Sequence, residues 1–339
     1  MFVLHPSKWL FFLMTTMGTL VCISANSWPA TWMGLEINLL GFIPLILTKK
    51  NILSSEASMK YFLIQALASS LFLIFIVFSF LLANILTIYY DILNQLLVSS
   101  TLMIKMGAAP FHFWFPPVME GLSWNNCYIL MTWQKIAPMI LLSYLNLSFV
   151  FLVIIALFSV TVGSLGGLNQ TSIRKIMTYS SINHIGWMIM ALIHSQILWL
   201  IYFLIYSVIS LNVIFFFKNA SIHHFTQLPL KMNQSPITKM LIVINLLSLG
   251  GLPPFLGFLP KWFILQALTS YDLLISLPLV VMTLITLYFY VRLIISTFLI
   301  NQTNIKWNHT STFLNYSLIV TSLTISMTGL ILMPISFLI

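Results

Sequence analysis

The stretch Lys105-Met106-Gly107-Ala108-Ala109-Pro110-Phe111-His112-Phe113-Trp114-Phe115-Pro116-Pro117 decides how this chain is read. A lysine closes an apolar run, and Gly107 and Pro110 then interrupt it. A second stretch, Gly250-Gly251-Leu252-Pro253-Pro254-Phe255-Leu256-Gly257-Phe258-Leu259-Pro260-Lys261-Trp262, echoes the first. Around both, the sequence is overwhelmingly apolar. Of 339 residues, 60% are hydrophobic and 6% charged, with a mean hydropathy of +1.03. Soluble domains carry about a quarter charged residues, so the chain reads as a polytopic membrane protein.

The net charge of +9 does not point to nucleic acid, because the basic residues stand singly between apolar runs with no basic face and no aromatic–basic interleave. Cys22 and Cys127 each lie inside an apolar run, without metal-ligand spacing and too few for a disulfide framework. The first apolar run, from Trp9, leads into a second rather than into a small-residue cleavage site, so it is kept as a span and not as a cleaved signal peptide.

A helix needs roughly 20 residues to cross about 30 Å of hydrocarbon. Eleven runs are read as spans, the first short and the ninth long: 9–24, 28–48, 59–83, 92–115, 125–145, 148–168, 172–193, 196–217, 237–270, 273–300 and 313–338. The fold class is all-α, a single membrane domain over 1–339. With eleven spans, the N-terminal side holds Lys8, Lys49, Lys50, Lys60, Arg174, Lys175, Lys218, Lys231, Lys239 and Lys306, with Arg292 near that end of its helix. The opposite loops hold only Asp91 and Asp272. The positive-inside rule then places the N-terminus on the cytoplasm-equivalent face and the C-terminus opposite. Trp9, Trp28, Trp124, Trp199, Trp262 and Trp307 near span ends fit interfacial belts.

Removing the loop charges leaves Glu36, Lys105, Lys135 and Lys261 at membrane depth, with His184 and His112 as titratable neighbours. A charged side chain there costs about 2.5–3.5 kcal/mol on insertion scales, and such residues mark ion and proton pathways by default. One structural ion pair accommodates Glu36 and a single lysine but leaves two lysines over. As one straight helix, 237–270 would run about 50 Å at about 1.5 Å per residue, so its prolines and glycines break it. Freed backbone groups at that depth are tolerated only inside protein or beside water. The breaks fall in spans 4 and 9, five spans apart, and so run in opposite directions through the membrane. That is the pattern of two inverted five-helix repeats, 1–145 and 148–300, followed by a C-terminal helix, 313–338. Paired interrupted segments of this kind point to a transport site. His184 reads either as a proton relay or as a core histidine bonded to a hydroxyl. His112 reads either as packing beside the break or as part of an access path. No phosphate-binding glycine motif, metal spacing, haem pattern or nucleophile constellation occurs, so the chemistry expected here is protonation and deprotonation.

Trp32-Met33-Gly34-Leu35-Glu36-Ile37-Asn38, Lys105 through Gly121, Trp133-Gln134-Lys135-Ile136-Ala137-Pro138, Gly166-Gly167-Leu168-Asn169-Gln170-Thr171 and Gly250 through Trp262 together resemble the mitochondrial NADH–ubiquinone oxidoreductase chain 2 family, antiporter-like membrane subunits of respiratory complex I. The resemblance covers essentially the whole chain, and the Phe/Ile/Leu/Met content is similar to that of insect members. It implies that Glu36 pairs with Lys105, that Lys135 is the central lysine, His184 a bridging group and Lys261 the distal lysine. Together these would form a proton line through water, parallel to the membrane. It implies a hetero-oligomer in the mitochondrial inner membrane, N-terminus on the matrix side and C-terminus on the intermembrane-space side. The neighbours would be another antiporter-like subunit on one side, small proximal membrane subunits on the other, and phospholipids. This chain would bind no cofactor or metal; NADH, FMN, iron–sulfur clusters and ubiquinone would belong to partner subunits. A free-standing cation/proton antiporter and a structural membrane spacer stand as alternatives.

Overall fold

The computed structural model describes residues 6–48, 51–82, 88–145, 147–232, 236–269 and 273–299, with positions 324 and 326. These residues are helical, and among them no strand occurs beyond an isolated bridge between Ser172 and His224. The eleventh expected span, 313–338, lies outside the described residues apart from those two positions. Seven of the described helices are long and apolar enough to cross a membrane. The chain divides into two compact units, Met1–Ile155 and Ala156–Ile339.

In the first unit, α1 (Pro6–Ser24), α2 (Trp28–Ile46), α3 (Ile52–Leu82) and α4 (Ile88–Met106) are followed by the short α5 (Phe115–Gly121), α6 (Trp124–Met131) and α7 (Trp133–Ser143). Ser27, in extended conformation, turns the chain into α2, and Pro29 occupies its first turn, where no intrahelical donor is lost. The α1–α2 contact is set by small residues: a Cβ on Gly18 would lie 2.6 Å from Asn38 N, and one on Gly34 would lie 2.6 Å from Cys22 N. Small residues let membrane helices approach to backbone contact, which replaces the hydrophobic drive that lipid removes. α2 packs on α3, α3 on α4, and α4 on α7. The outer faces of α1 and α3 expose Leu10, Leu13, Leu63, Leu67 and Phe80, as lipid contact requires.

The first break falls where expected. α4 stops at Gly107, whose φ of +73° suits the left-handed region that glycine enters without steric penalty. Gly107 N donates to Ile104 O (3.2 Å) and Ala108 N to Met103 O (3.1 Å), a Schellman end that returns two orphaned carbonyls to the backbone. A further break, not expected within span 125–145, separates α6 from α7 at Thr132. The Thr132 hydroxyl donates back to Tyr128 O at 2.8 Å, a bond that bends helices, and Pro138 inside α7 withholds the N–H that Gln134 O would otherwise accept.

α8 (Phe149–Gly167) spans the division between the units. The second unit continues with α9 (Ile173–His194), α10 (Gln196–Asn219), α11 (Gln227–Met232), α12 (Pro236–Gly250), α13 (Phe258–Thr269) and α14 (Leu273–Leu299). Ser195 caps α10, its Oγ accepting from Leu198 N at 3.2 Å. α9 is the central helix, 83% of its apolar window being buried. The residues after α10 are tied to the start of α9 by Ile173 N to His223 O and Phe225 N to Thr171 O, both 3.0 Å. His223 Nδ1 lies 3.2 Å from Arg174 Nη2, so this histidine belongs to a loop joint. Trp124 and Trp199 are buried, not part of an interfacial belt; Trp307 lies outside the described residues.

The second break repeats the first in backbone geometry. Gly251 has φ +78°, Gly251 N donates to Ser248 O (3.1 Å) and Leu252 N to Leu247 O (3.3 Å). The chain then turns at Phe255, passes Gly257 hard against the Ser248 carbonyl, and resumes as α13. Leu256 N finds its acceptor on Ser326 O at 3.3 Å.

Candidate functional site

Each unit buries lysine beside its break. Lys105 is the penultimate residue of α4 and is 7% exposed; Lys135 on α7 is 1% exposed and Lys261 on α13 is 5% exposed. Burying an ammonium without polar company is prohibitive, so the surroundings of each carry the chemistry.

Around Lys105, three other helices and the break itself supply polar groups. The Gln65 amide on α3 donates to Lys105 O at 3.2 Å, and the Trp114 indole donates to Ile104 O at 3.1 Å. Lys105 O, which the return bonds leave over, is thus taken by a neutral amide, and Ile104 O accepts a second bond beside that from Gly107 N. The Lys105 side chain borders a small chamber with Asn38 from α2, Tyr61 and Gln65 from α3, and Gln134 from α7. Its volume is about 20 Å³, enough for one water. Gln134 Nε2 donates to Asn38 Oδ1 at 2.9 Å across the chamber wall. Glu36, half-buried on α2, lies within electrostatic reach of Lys105, but no ion pair between the two is found among the described residues; Lys60 and Glu56 pair on the surface at 3.8 Å. Lys135 follows Gln134 directly and sets its Nζ 5.6 Å from the centre of the Phe115 ring, the first residue of α5. Lys105 and Lys135 therefore stand on the two sides of the first break. His112, within the break, is buried and lies against Phe113, ring centres 4.3 Å apart.

In the second unit, Lys261 returns from α13 to the end of α12 and donates from Nζ to Gly250 O at 2.9 Å. A cation at a helix C-terminus faces the negative end of the peptide dipoles. The same ammonium lies 5.9 Å from the centre of the Trp187 ring on α9. One turn earlier on α9, His184 sets Nδ1 2.8 Å from the Tyr202 hydroxyl of α10, with the Tyr206 ring centre 4.7 Å away. Imidazole and phenol are both donor and acceptor, so this pair can exchange the direction of its hydrogen bond. On α12, Asn245 is 1% exposed and, among the described residues, neither end of its amide has a hydrogen-bond partner, a polar group that calls for water.

The arrangement is one of buried, protonatable groups flanked by neutral amides and hydroxyls, with broken helix ends as dipoles. Comparison with known proteins gives the same direction. The family described as NADH:quinone oxidoreductase/Mrp antiporter, transmembrane, matches residues 25–286. NADH-ubiquinone oxidoreductase chain 2 of Anopheles gambiae is 54% identical over 308 residues, 90% of each chain, and that of Aedes aegypti is 50% identical over 335 residues, 97% of this chain and 98% of the relative. The chain belongs to the NADH-ubiquinone oxidoreductase chain 2 family. Its fold is shared with a chain of respiratory complex I from Thermus thermophilus with bound aureothin (TM-score 0.82, 24% identity, 96% of this chain and 78% of the other). It is also shared with a chain of the Mrp complex from Dietzia (TM-score 0.77, 17% identity, 88% and 62%).

For this chain 2 family member, the structure brings together groups that the linear sequence does not. Lys105, Asn38, Gln65 and Gln134 come from four helices to one chamber, and His184 meets Tyr202. Of these, Asn38, Gln65, Gln134, Tyr61, Tyr202 and Asn245 were not singled out by sequence. The available signal was an amide within an apolar run, as at Gln65 between Ile64 and Ala66, which is costly unless it is bonded.

Proposed function

We propose that this chain is the antiporter-like, proton-translocating membrane subunit of respiratory complex I, NADH:ubiquinone oxidoreductase, as family membership supports. Glu36, Lys105, Lys135, His184 and Lys261 hold and pass protons, and His112 lies on an access path. The observation that carries this reading is the burial of three lysines, Lys105 and Lys261 at the two glycine-ended helices and Lys135 beside the first break, with amides lining the chamber at Lys105 and a helix end and an indole ring at Lys261.

Eleven spans in two inverted five-helix repeats and a C-terminal helix frame the relay in the mitochondrial inner membrane, N-terminus in the matrix and C-terminus towards the intermembrane space. Oxidation of NADH, with FMN, iron–sulfur clusters and ubiquinone, belongs to partner subunits. Moving a proton against the potential costs about 2.3 kcal/mol per 100 mV, so that redox energy reaches this chain through the assembled complex. The neighbours are an antiporter-like subunit on one side, small proximal membrane subunits on the other, and phospholipids. The internal similarity supports the repeat reading: Gly18 against Asn38 and Gly163 against Asn183 are matching close contacts, 145 residues apart.

The test is Lys135→Met in the assembled complex. Protons translocated per NADH should fall, or turnover should drop while coupled. A complex that assembles fully and pumps at the normal ratio would overturn the relay. The likeness to Mrp complexes leaves a free-standing cation/proton antiporter as the second reading; migration of the chain on a native gel near megadalton size excludes it, and migration as a small free species supports it.

A further inference from the structure

The first unit holds a second and larger cavity, about 260 Å³. It lies at the end of the bundle where α2 begins and α3 and α7 finish. Its wall takes Trp28 from α2, Ser79 from α3, Asn94, Gln95 and Val98 from α4, and Tyr144 just past α7. These are the same four helices that enclose the small chamber at Lys105. The two cavities are therefore stacked along one four-helix interior. On α4, Val98 of the larger cavity and Lys105 of the smaller are seven residues apart, about 10 Å at about 1.5 Å per residue.

The larger cavity is polar enough to hold water. The amides of Asn94 and Gln95 are half-buried and line it, and its volume accommodates several molecules. Its rim reaches the surface at Tyr144, 52% exposed. Along α3 Phe72 falls between Gln65 of the smaller cavity and Ile76 of the larger, and along α4 Leu102 falls between Lys105 and Val98; both are fully buried, with Phe72 edge-on to Trp28 at 6.2 Å. Beside this apolar layer, the hydroxyls of Thr31, Ser69 and Thr101 donate to carbonyls of their own helices at 2.6, 2.8 and 2.6 Å. Each keeps its oxygen lone pairs available to accept from water.

We infer that the larger cavity is a water vestibule giving protons access to Lys105 from the membrane face where α2 begins, and that Phe72 with Leu102 is the dry gate separating it from the lysine chamber. This rests on the reading of Lys105 as a proton carrier. When the layer is wetted, a hydronium ion passes one proton to the neutral Lys105 amine and leaves water; the reverse step returns it. When the layer is dry, hydrophobic constriction stops conduction, as in channels that gate by dewetting. On the orientation proposed above, the vestibule faces the intermembrane space.

The experiment uses assembled complex in sealed vesicles or mitoplasts. A membrane-impermeant methanethiosulfonate is applied from either face to Ser79→Cys, and modification is read on this chain by mass spectrometry. Cys22 and Cys127 are fully buried, so their background is low. Modification from the intermembrane-space face alone, with loss of proton translocation, is expected. Phe72→Ala should raise passive proton conductance several-fold, and adding Lys105→Met should abolish that rise. No modification from that face, or modification without effect on translocation, overturns the vestibule even where Phe72→Ala fails to assemble. A leak that persists with Lys105→Met overturns the route to Lys105. Because Lys135→Met tests the relay separately, a vestibule that fails while Lys135→Met stops pumping leaves the relay standing.

Discussion

The two breaks use one backbone solution and two opposite side-chain solutions. Both end a helix on glycine at φ +73° and +78° with the same pair of return hydrogen bonds. At the first, Gln65 takes Lys105 O and Trp114 adds a second donor to Ile104 O, and the lysine precedes the break and borders a chamber of amides. At the second, no such neutral donor reaches Gly250 O among the described residues, and Lys261, which follows the break, does the capping itself. The difference teaches that a buried lysine at a broken helix is not one kind of object. Among the described residues no hydrogen bond runs from the Lys105 ammonium to its own break, whereas Lys261 holds a helix end together and faces its dipole.

The comparison breaks most severely if the common backbone is disturbed. Gly257 lets the chain after the second break pass the Ser248 carbonyl, and a Cβ there would collide with backbone. Gly257→Ala should therefore cost at or above the top of the range of about 1–3 kcal/mol typical of overpacking. Little assembled complex carrying it should be recovered on native gels; normal assembly would show that the segment has room to move.

Next in size is the contrast between the lysines. Lys261→Met removes the donor to a buried carbonyl, a loss of about 1–3 kcal/mol, along with any proton transfer. Lys105→Met removes a buried cation and leaves both carbonyls at that break satisfied. Thermal unfolding of the assembled complex should therefore fall for Lys261→Met and stay level or rise for Lys105→Met, while both reduce proton translocation. Equal destabilisation of the two would dissolve the distinction drawn here.

Both of these breaks were legible in the sequence because glycine and proline announce them: Gly107, Pro110, Gly251 and Pro253 each punctuate an apolar run. The break at Thr132 was not, since a threonine that bonds back to Tyr128 O looks like any other helical threonine until the backbone is seen. The buried lysines were legible through their rarity in apolar sequence, and their number exceeded what Glu36 alone can pair. Their company was not. Asn38, Gln65 and Gln134 lie on three helices far apart in sequence, and only packing brings them to one chamber. Likewise Tyr202 sits in a run that also holds Tyr206, Phe203 and Trp199, where nothing local marks which aromatic ring turns its hydroxyl inward.

The smallest expected effect concerns that hydroxyl, and it asks whether the second unit carries protons through a side chain as well as through its lysine. Tyr202 is buried and its oxygen is 2.8 Å from His184 Nδ1. Tyr202→Phe keeps the ring and its packing and deletes one hydrogen bond, worth about 0.5–1.5 kcal/mol net. Stability should thus fall only slightly, and assembly should be unaffected. If His184 merely fills the core, nothing else changes, because its ring still packs on Tyr206. If His184 relays protons, the loss is larger than the energy suggests. The phenol meets Nδ1 in either tautomer, and without it the imidazole loses the group through which that nitrogen gives or takes a proton. Coupled turnover should then slow without a matching change in thermal stability, and Tyr202→His, which restores a donor–acceptor group at that position, should recover part of it. A Tyr202→Phe complex that turns over and pumps as the native one does would assign His184 to the core and leave Lys261 as the proton-carrying side chain at the second break.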